Sequence, residues 1–392
     1  MNRVAVRAGR LSTDNLVIGG GPAGSMLAIR LATAGREVVL LEKERSAHHK
    51  VCGEFLSREA IEYLRQAGID PLALGAATIR FMRHSVRRSQ VEAALPFTAL
   101  SLSRLVLDEA LLARAAEMGC SVQRGAFVEK LTSQEGRWIG EVRSGLSWRA
   151  STVFLASGKH DLRGLERERG VQGDMVGFKL HWRLAPEQTE AMREFMDLFL
   201  FRGGYGGLCL VEADVANLCL VVRRSTLRKS GGWSELLATL LKDNSHLGQR
   251  LHGATQLWER PLAISPIPYG YLAGKTDGLW RIGDQAAVIP SFTGDGISIA
   301  LHSASLAAQM SLAGDTADRY REMLRMHLGR RMALATGISR AMVTGAGMAF
   351  SSFGLSLFPS SMQWIANSTR IPDRVLLHAA APSLPESRSA IR

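Results

Sequence analysis

Three glycines and one carboxylate carry the clearest chemistry in the chain. Gly19, Gly21 and Gly24 sit in Leu16-Val17-Ile18-Gly19-Gly20-Gly21-Pro22-Ala23-Gly24, directly behind an apolar run. In this arrangement the first glycine permits a tight turn, the second lets the backbone approach a pyrophosphate, and the third lets helix and strand pack closely. Glu42 closes a second apolar run, Val38-Val39-Leu40-Leu41-Glu42, 18 positions after Gly24. An acid at that place accepts hydrogen bonds from an adenosine ribose. The chemistry is the binding of a dinucleotide, with NAD and FAD both open at this point. A second set, Lys179, His181 and Arg183, alternates along a predicted strand and therefore shares one of its sides. These side chains can hold or move a proton.

The elements that position these residues follow from the apolar patterns. Leu16 to Ile18 reads as a strand and Ala23 to Thr33 as a helix whose N-terminus offers unpaired N–H groups to phosphate. Ser57 caps a helix to Gln66, Thr78–His84 and Val91–Leu102 read as strands, and Ser103 caps a helix ending at Gly119. Short strands follow at 121–124, 126–131, 138–142 and 148–156. From Met175 the character changes to longer strands at 177–184, 195–202, 207–212 and 217–223, with Gly203–Gly207 as a flexible corner and helices at 233–241 and 246–252. Leu279 to Asp284 reads as a buried strand, Pro290–Gly296 as a turn, and Ile297–Leu312 as a helix. A charged amphipathic helix spans Asp318–Thr336.

Composition bounds the class. At 392 residues, 46% hydrophobic and 21% charged, with a mean hydropathy of +0.03, the chain reads as a globular enzyme rather than a polytopic membrane protein. Its net charge of +12 is spread over scattered basic residues with no aromatic-interleaved run, so nucleic acid is not expected as a partner. Cys52, Cys120, Cys209 and Cys219 have no CxxC spacing; no metal site is expected, and reduced thiols point to the cytoplasm. Met1–Ser12 reads as a short tail. Ala341–Thr369 holds no charged side chain over 29 positions. Its glycines, proline and hydroxyls favour packed helices over a membrane span, with Met348, Phe350, Phe353 and Phe358 offered to an apolar substrate or a membrane surface.

Taken in order, the Gly19–Gly24 loop with Glu42, Ser103-Arg104 heading a helix, Gly158-Lys159-His160-Asp161, and Gly283-Asp284 with Thr293-Gly294-Asp295-Gly296 resemble the FAD-dependent oxidoreductases of the para-hydroxybenzoate hydroxylase superfamily, especially its geranylgeranyl-reductase-like branch. The resemblance covers roughly residues 14 to 312. It implies an α/β fold: a Rossmann-like FAD-binding domain (GR2-type) with an inserted antiparallel-sheet substrate domain and C-terminal helices. The FAD-binding domain is assigned to 1–77, 98–170 and 262–312, the substrate domain to 78–97 and 171–261, and the helical region to 313–392. It further implies FAD contacts at Gly19, Gly21, Pro22, Ala23, Gly24, Glu42, Lys43, Cys52, Gly53, Arg104, Gly158, Gly283, Asp284, Gly294, Asp295, Gly296 and Ile297. Lys50-Val51-Cys52-Gly53-Glu54-Phe55-Leu56-Ser57 looks like the flavin-proximal loop of the reductase branch, which leaves Glu54 or Cys52 available for proton chemistry.

The expected activity is that of a monooxygenase hydroxylating an apolar aromatic or phenolic metabolite through a flavin C4a-hydroperoxide, with O₂ as co-substrate and Lys179 and His181 as further catalytic candidates. The alternatives are a geranylgeranyl-reductase-like enzyme saturating an isoprenoid double bond, a flavin-dependent halogenase, or a non-catalytic flavoprotein docked peripherally to a membrane. No second GxGxxG occurs, so NAD(P)H is expected as a transient reductant, with a separate flavin reductase equally compatible. Tyr205-Gly206-Gly207-Leu208-Cys209-Leu210 stands where geranylgeranyl reductases show an aromatic-x-Trp-x-Phe-Pro motif, and its small residues remove an aromatic wall.

Overall fold

The computed structural model describes residues 10–274, 277–349, 354 and 360–377. Strand β1 (Arg10–Ile18) leads through the glycine turn into α1 (Pro22–Thr33), and β2 (Val38–Glu42) returns beside β1. Next come β3 (Phe55–Leu56), α2 (Arg58–Gln66), the hairpin β4 (Ala77–Val86) and β5 (Ser89–Ser101), and α3 (Arg104–Glu117). Then β6 (Ser121–Arg124), β7 (Val128–Gln134), β8 (Arg137–Val142) and β9 (Ser147–Leu155) follow. The first sheet has the order β6-β2-β1-β9-β8-β7, parallel from β6 to β9 and antiparallel beyond. Residues 10–12, expected as tail, extend β1 because Arg10 to Ser12 pair with Ser147 to Arg149 of β9. Residues 1–9 of that tail lie outside the described residues.

The second sheet gathers distant pieces of the chain. It takes β10 (Gln172–Arg183), then, after α4 (Pro186–Met192), β11 (Glu194–Phe201), β12 (Gly204–Leu210) and β13 (Ala216–Arg223). Helices α5 (Arg224–Ser230), α6 (Trp233–Asp243) and α7 (Ser245–Arg250) precede β14 (Thr255–Gln256) and β15 (Leu262–Tyr269). The order is β14-β10-β13-β12-β11-β4-β5-β3, with β15 also on β10. The sheet is antiparallel except where β4 meets β11, since the early hairpin is added to it from outside. Residues 262–269, expected within the nucleotide unit, belong to this sheet through their pairing with β10. Alternation divides its two faces. Val176, Phe178, Leu180 and Trp182 pack with Leu236, Leu237 and Leu240 of α6, which leaves Gly177, Lys179 and His181 on the other side.

The chain then returns to the first sheet. Short strands β16 (Tyr271–Leu272), β17 (Trp280–Arg281) and β18 (Ala287–Val288) lead to α8 (Gly296–Leu312), α9 (Ala317–Met342) and α10 (Ser360–Thr369). The strand expected over 279–284 is only two residues long, because the backbone turns at Gly283 (φ +60°). A large core lies where α1, α2, α3, α8 and α9 cover the first sheet. Met348, expected to face a substrate or membrane, is buried with Met342, Val343, Tyr205 and Tyr269. Phe350, Phe353 and Phe358 lie outside the described residues.

The corner expected at Gly203–Gly207 is confined to a turn at Gly203; Gly204 to Gly207 are inside β12. Their smallness is a packing requirement, since a Cβ on Gly206 would lie 2.3 Å from the Phe199 ring and 2.7 Å from Leu220 Cβ. A Cβ on Gly207 would meet only Met196 Cε, at 3.1 Å, and Asp197 O, at 3.7 Å. Gly206→Ala is therefore expected to lower stability by roughly 1–3 kcal/mol. Gly207→Ala should cost less than about 1 kcal/mol, because the flexible Met196 side chain can yield. Equal midpoints for both variants in urea unfolding would contradict this packing.

Candidate functional site: two helix N-termini and a buried charge cluster

The glycine loop is built as its spacing predicts. Gly19 has φ +109°, and a Cβ there would sit 2.4 Å from Ala156 O; one on Gly24 would sit 1.9 Å from Gly19 O. Gly21 is the open position, where a Cβ would meet nothing nearer than Arg104 Nη2 at 3.4 Å. Helix α1 starts with Pro22 in its first turn and has no side-chain cap, so its leading N–H groups face the same open space. Glu42 fixes the loop from below: its Oε2 accepts the Gly20 N–H at 2.7 Å and its Oε1 the Glu44 N–H at 3.0 Å. A Cβ on Gly283 would lie 2.9 Å from Ala23 Cβ, and Gln285 Nε2 donates to Gly158 O at 2.9 Å. Asp284 pairs with Lys159 at 3.2 Å, which pushes the lysine up. The structure thus brings Gly19, Gly21, Pro22, Ala23, Gly24, Glu42, Arg104, Gly158, Gly283 and Asp284 around one helix end, while Lys43 is an exposed cation paired with Glu44 at 3.7 Å.

Arg104 reaches this space as part of a group. Its guanidinium forks onto Asp108 at 2.6 and 2.8 Å, and Lys50 Nζ donates to the same carboxylate at 2.8 Å. Burial pushes the Asp108 carboxyl up, but the two cations outweigh it and hold it below the ordinary range. Two cations on one acid leave a surplus positive charge beside Gly21. Sequence reading singled out neither Lys50 nor Asp108 for this. The one available signal was the i,i+4 spacing of Arg104 and Asp108 on their helix.

A second uncapped helix N-terminus opens at α8. Gly294 has φ +74° and lies on Phe55, whose ring a Cβ there would strike at 2.6 Å; Gly296 is open, and Ile297 follows it in the first turn. Asp295 turns its side chain away. Its Oδ1 accepts from Arg370 at 3.2 Å, and Arg370 also bonds Glu59 at 3.3 Å and lies 3.8 Å above the Phe97 ring. Burial pushes the Asp295 carboxyl up to about 7, against the pull of Arg370. Arg370 follows α10 directly, so the C-terminal part of the chain braces the turn at 293–297. Nothing in the local sequence marks that role.

Between the two helix ends lies the loop carrying Cys52, Gly53 and Glu54. Asn217 Nδ2 donates to Cys52 O at 3.1 Å, and the Glu54 N–H points to Cys52 Sγ at 3.3 Å. Gly53 is open on its Cβ side. Glu54, at φ +60°, is 0% exposed and fully engaged. Its Oε1 accepts the Arg104 N–H at 2.7 Å and a bond from Lys179 Nζ, and its Oε2 accepts from His181 Nε2 at 3.2 Å. Burial raises the Glu54 carboxyl, yet the His181 bond and the Lys179 charge prevail and hold it low. Lys179 and His181 are buried together, whereas Arg183 is exposed. Half-buried His49 and Trp258 complete the group, with ring centroids 4.8 and 4.5 Å from His181.

His49, Glu54 and His181 offer donor atoms within 4.8 Å of one another. The Lys179 ammonium already occupies this carboxylate. A divalent ion about 4 Å from it would meet roughly 8 kcal/mol of repulsion at an effective dielectric of 20. The cluster suits a proton-bearing network better than a cation.

The FAD cradle passes the test of fit: an open glycine, unclaimed N–H groups on two helices, and surplus positive charge match a pyrophosphate and an anionic ring edge. Gly21→Val should weaken FAD binding by more than about tenfold with little change in melting, whereas Gly24→Val should unfold the domain. Equilibrium dialysis and calorimetry check this pair. Lys179→Met should destabilise by about 3–5 kcal/mol, and the double change with Glu54→Gln should recover most of it, because a lone buried charge is what costs. The stabilisation from Glu54 is present above the ordinary glutamate value of about 4.3 and is lost as pH falls through its lower folded value. Urea unfolding across that range reads it out.

Comparison with known proteins points to the same cofactor. The FAD binding domain family matches residues 12–153. Digeranylgeranylglycerophospholipid reductase 2 of Methanopyrus kandleri is 27% identical over 318 residues, which is 76% of each chain. Menaquinone reductase of Mycolicibacterium smegmatis is 25% identical over 344 residues, 82% of each. Among solved structures, a geranylgeranyl bacteriochlorophyll reductase-like protein from Thermoplasma acidophilum superposes with a TM-score of 0.75 at 18% identity, covering 94% of this chain and 95% of that one, and so shares the fold. With an FAD cradle whose open glycine, helix ends and cations match the cofactor, this chain carries an FAD binding domain over residues 12–153 and is an FAD-dependent oxidoreductase similar to these reductases.

Proposed function

We propose that the protein is an FAD-dependent reductase that saturates a carbon–carbon double bond in a substrate bearing an isoprenoid chain, with NAD(P)H as the transient reductant. The observation that carries this reading is likeness along most of the chain to two proteins whose names describe reductases, each spanning three quarters or more of both chains.

FAD, when bound, supplies a hydride to one carbon of a double bond. The chain's own residues do the rest. Glycine-loop N–H groups and the Arg104–Asp108–Lys50 group hold the pyrophosphate end, and the α8 N-terminus at Gly296 and Ile297 faces the developing negative charge. The second carbon needs a proton, and this reading takes it from the half-buried Cys52 thiol, on the loop between the two helix ends. Glu54 is a poor donor, since its carboxylate is ionised and already accepts three bonds. It holds the loop in place. Lys179 and His181 keep that carboxylate charged and dry.

Among the described residues no helix is long and apolar enough to cross a membrane. Peripheral contact with a membrane, from which such a substrate would be drawn, belongs to the same proposal. It is supported by Trp364, 60% exposed on α10, and by the net charge of +12.

The deciding experiment reduces the FAD-loaded protein anaerobically and offers it, in separate reactions, a prenylated quinone and O₂ with a phenol. Expected are reoxidation by the prenyl acceptor with a product that stays two hydrogens heavier after its head is returned to the quinone in air, so that the hydrogens lie on the chain, and a loss of turnover of more than about tenfold in Cys52→Ala with unchanged FAD binding. Oxygen incorporation into the phenol, with no reaction at the prenyl chain, would replace this reading by the hydroxylation expected from sequence.

A further inference from the structure

The charge cluster holds two polar atoms that its internal bonds leave over. Asn217 is 1% exposed on β13, directly opposite His181 on β10 and Cys209 on β12, so all three share the site-facing side of the sheet. Its Nδ2 donates to Cys52 O at 3.1 Å, which fixes the orientation of the amide. Oδ1 is thereby the free atom, a buried acceptor with no partner. His49 Nδ1 is likewise buried without a partner, on a ring lying edge-on to His181. Burial and the neighbouring Lys179 hold His49 down at about 4, so it is a neutral imidazole that can accept or donate. Buried polar atoms in folded proteins find partners, and two unmatched ones against a shared neighbour call for a ligand.

The surroundings define its chemistry. The internal bonds are complete on the charged side, where Glu54 takes three donors. Acceptor capacity therefore remains for a hydroxyl hydrogen, and an imidazole nitrogen for its oxygen. Trp258, stacked on His181 and half-exposed, walls the group with an aromatic face. Gly53 brings no side chain into the neighbouring space and has nothing within 4 Å on its Cβ side. A flat ring is accommodated by such walls better than a branched chain.

We propose that Asn217, His49 and His181, backed by the Lys179–Glu54 pair and walled by Trp258, form a subsite for the hydroxyl of an aromatic ring, the phenol or quinol head of the substrate. This deepens the reductase reading and rests on it only for the chain that the ring carries. The head is held by the sheet while the chain extends toward the Cys52 loop.

The test titrates the FAD-loaded full chain with 2-naphthol and, separately, with naphthalene, following the visible absorbance of the bound flavin. Expected is tighter binding of 2-naphthol by about tenfold or more, an advantage removed by Asn217→Leu and by His49→Phe while naphthalene affinity stays within about twofold. Because Asn217→Leu also frees Cys52 O, the half-exposed His49→Phe carries the result if the first variant does not fold. Equal affinity for the two probes, or an unaltered 2-naphthol advantage in His49→Phe, overturns the subsite. Prenyl reduction by the wild type is measured in parallel. Retained turnover without probe discrimination sinks the subsite alone, and discrimination without turnover sinks the reductase reading alone.

Discussion

The carboxylate of Glu54 joins three parts of the chain that are far apart in sequence, and the site depends on that junction. It receives the first N–H of α3 from the nucleotide unit and two side chains of β10 from the second sheet, in a place with no access to water. A buried charge is tolerated only when its partners are complete, because desolvation of each ion costs several kcal/mol. Each donor is therefore required by the other two. The left-handed backbone at Glu54 is held by the same contacts, and with it the positions of Gly53 and Cys52. A loop that would otherwise move is thus fixed between two helix ends.

The rest of the cradle uses the same physics with the sign reversed. Helices α1 and α8 begin without side-chain caps and without acids in the first turn, which leaves partial positive charge unspent at both. Where a full charge is needed, the fold supplies cations in excess of acids: Arg104 and Lys50 stand against Asp108 alone. Arg370 works from behind, pairing with Asp295 at the α8 turn and with Glu59 on α2 so that neither acid is left unpaired beside an anionic ligand.

Small residues on the second sheet have two different causes. Gly206 is small because Phe199 lies across it, a demand of the core. Gly207 and Cys209, two and four positions beyond Tyr205, point to the opposite side, toward the Cys52 loop, where Cys209 Sγ lies 3.7 Å from Gly53 O. On that side Cys209 packs with Phe55, Ile79 and Ala99 beneath the loop, so alternation along one strand separates the packing of Phe199 from the support of the site loop.

The sequence by itself determined the nucleotide unit: the glycine loop, Glu42, the caps at Ser57 and Ser103 and the helix after Gly296 are local features, and local bonding and sterics suffice to form them. It also placed Lys179 and His181 on one side of a strand. Alternation alone, however, does not say whether such a side faces water or a buried acid. Only the tertiary structure decided that they meet Glu54, more than a hundred positions away, that residues 262–269 pair with β10, and that Arg370 braces the α8 turn. It also set Asn217 beside His181, across a sheet pairing that no local pattern encodes. Contacts of this kind form when separate elements bury their apolar faces together, and the polar groups caught at the junction must then satisfy one another or hold a ligand.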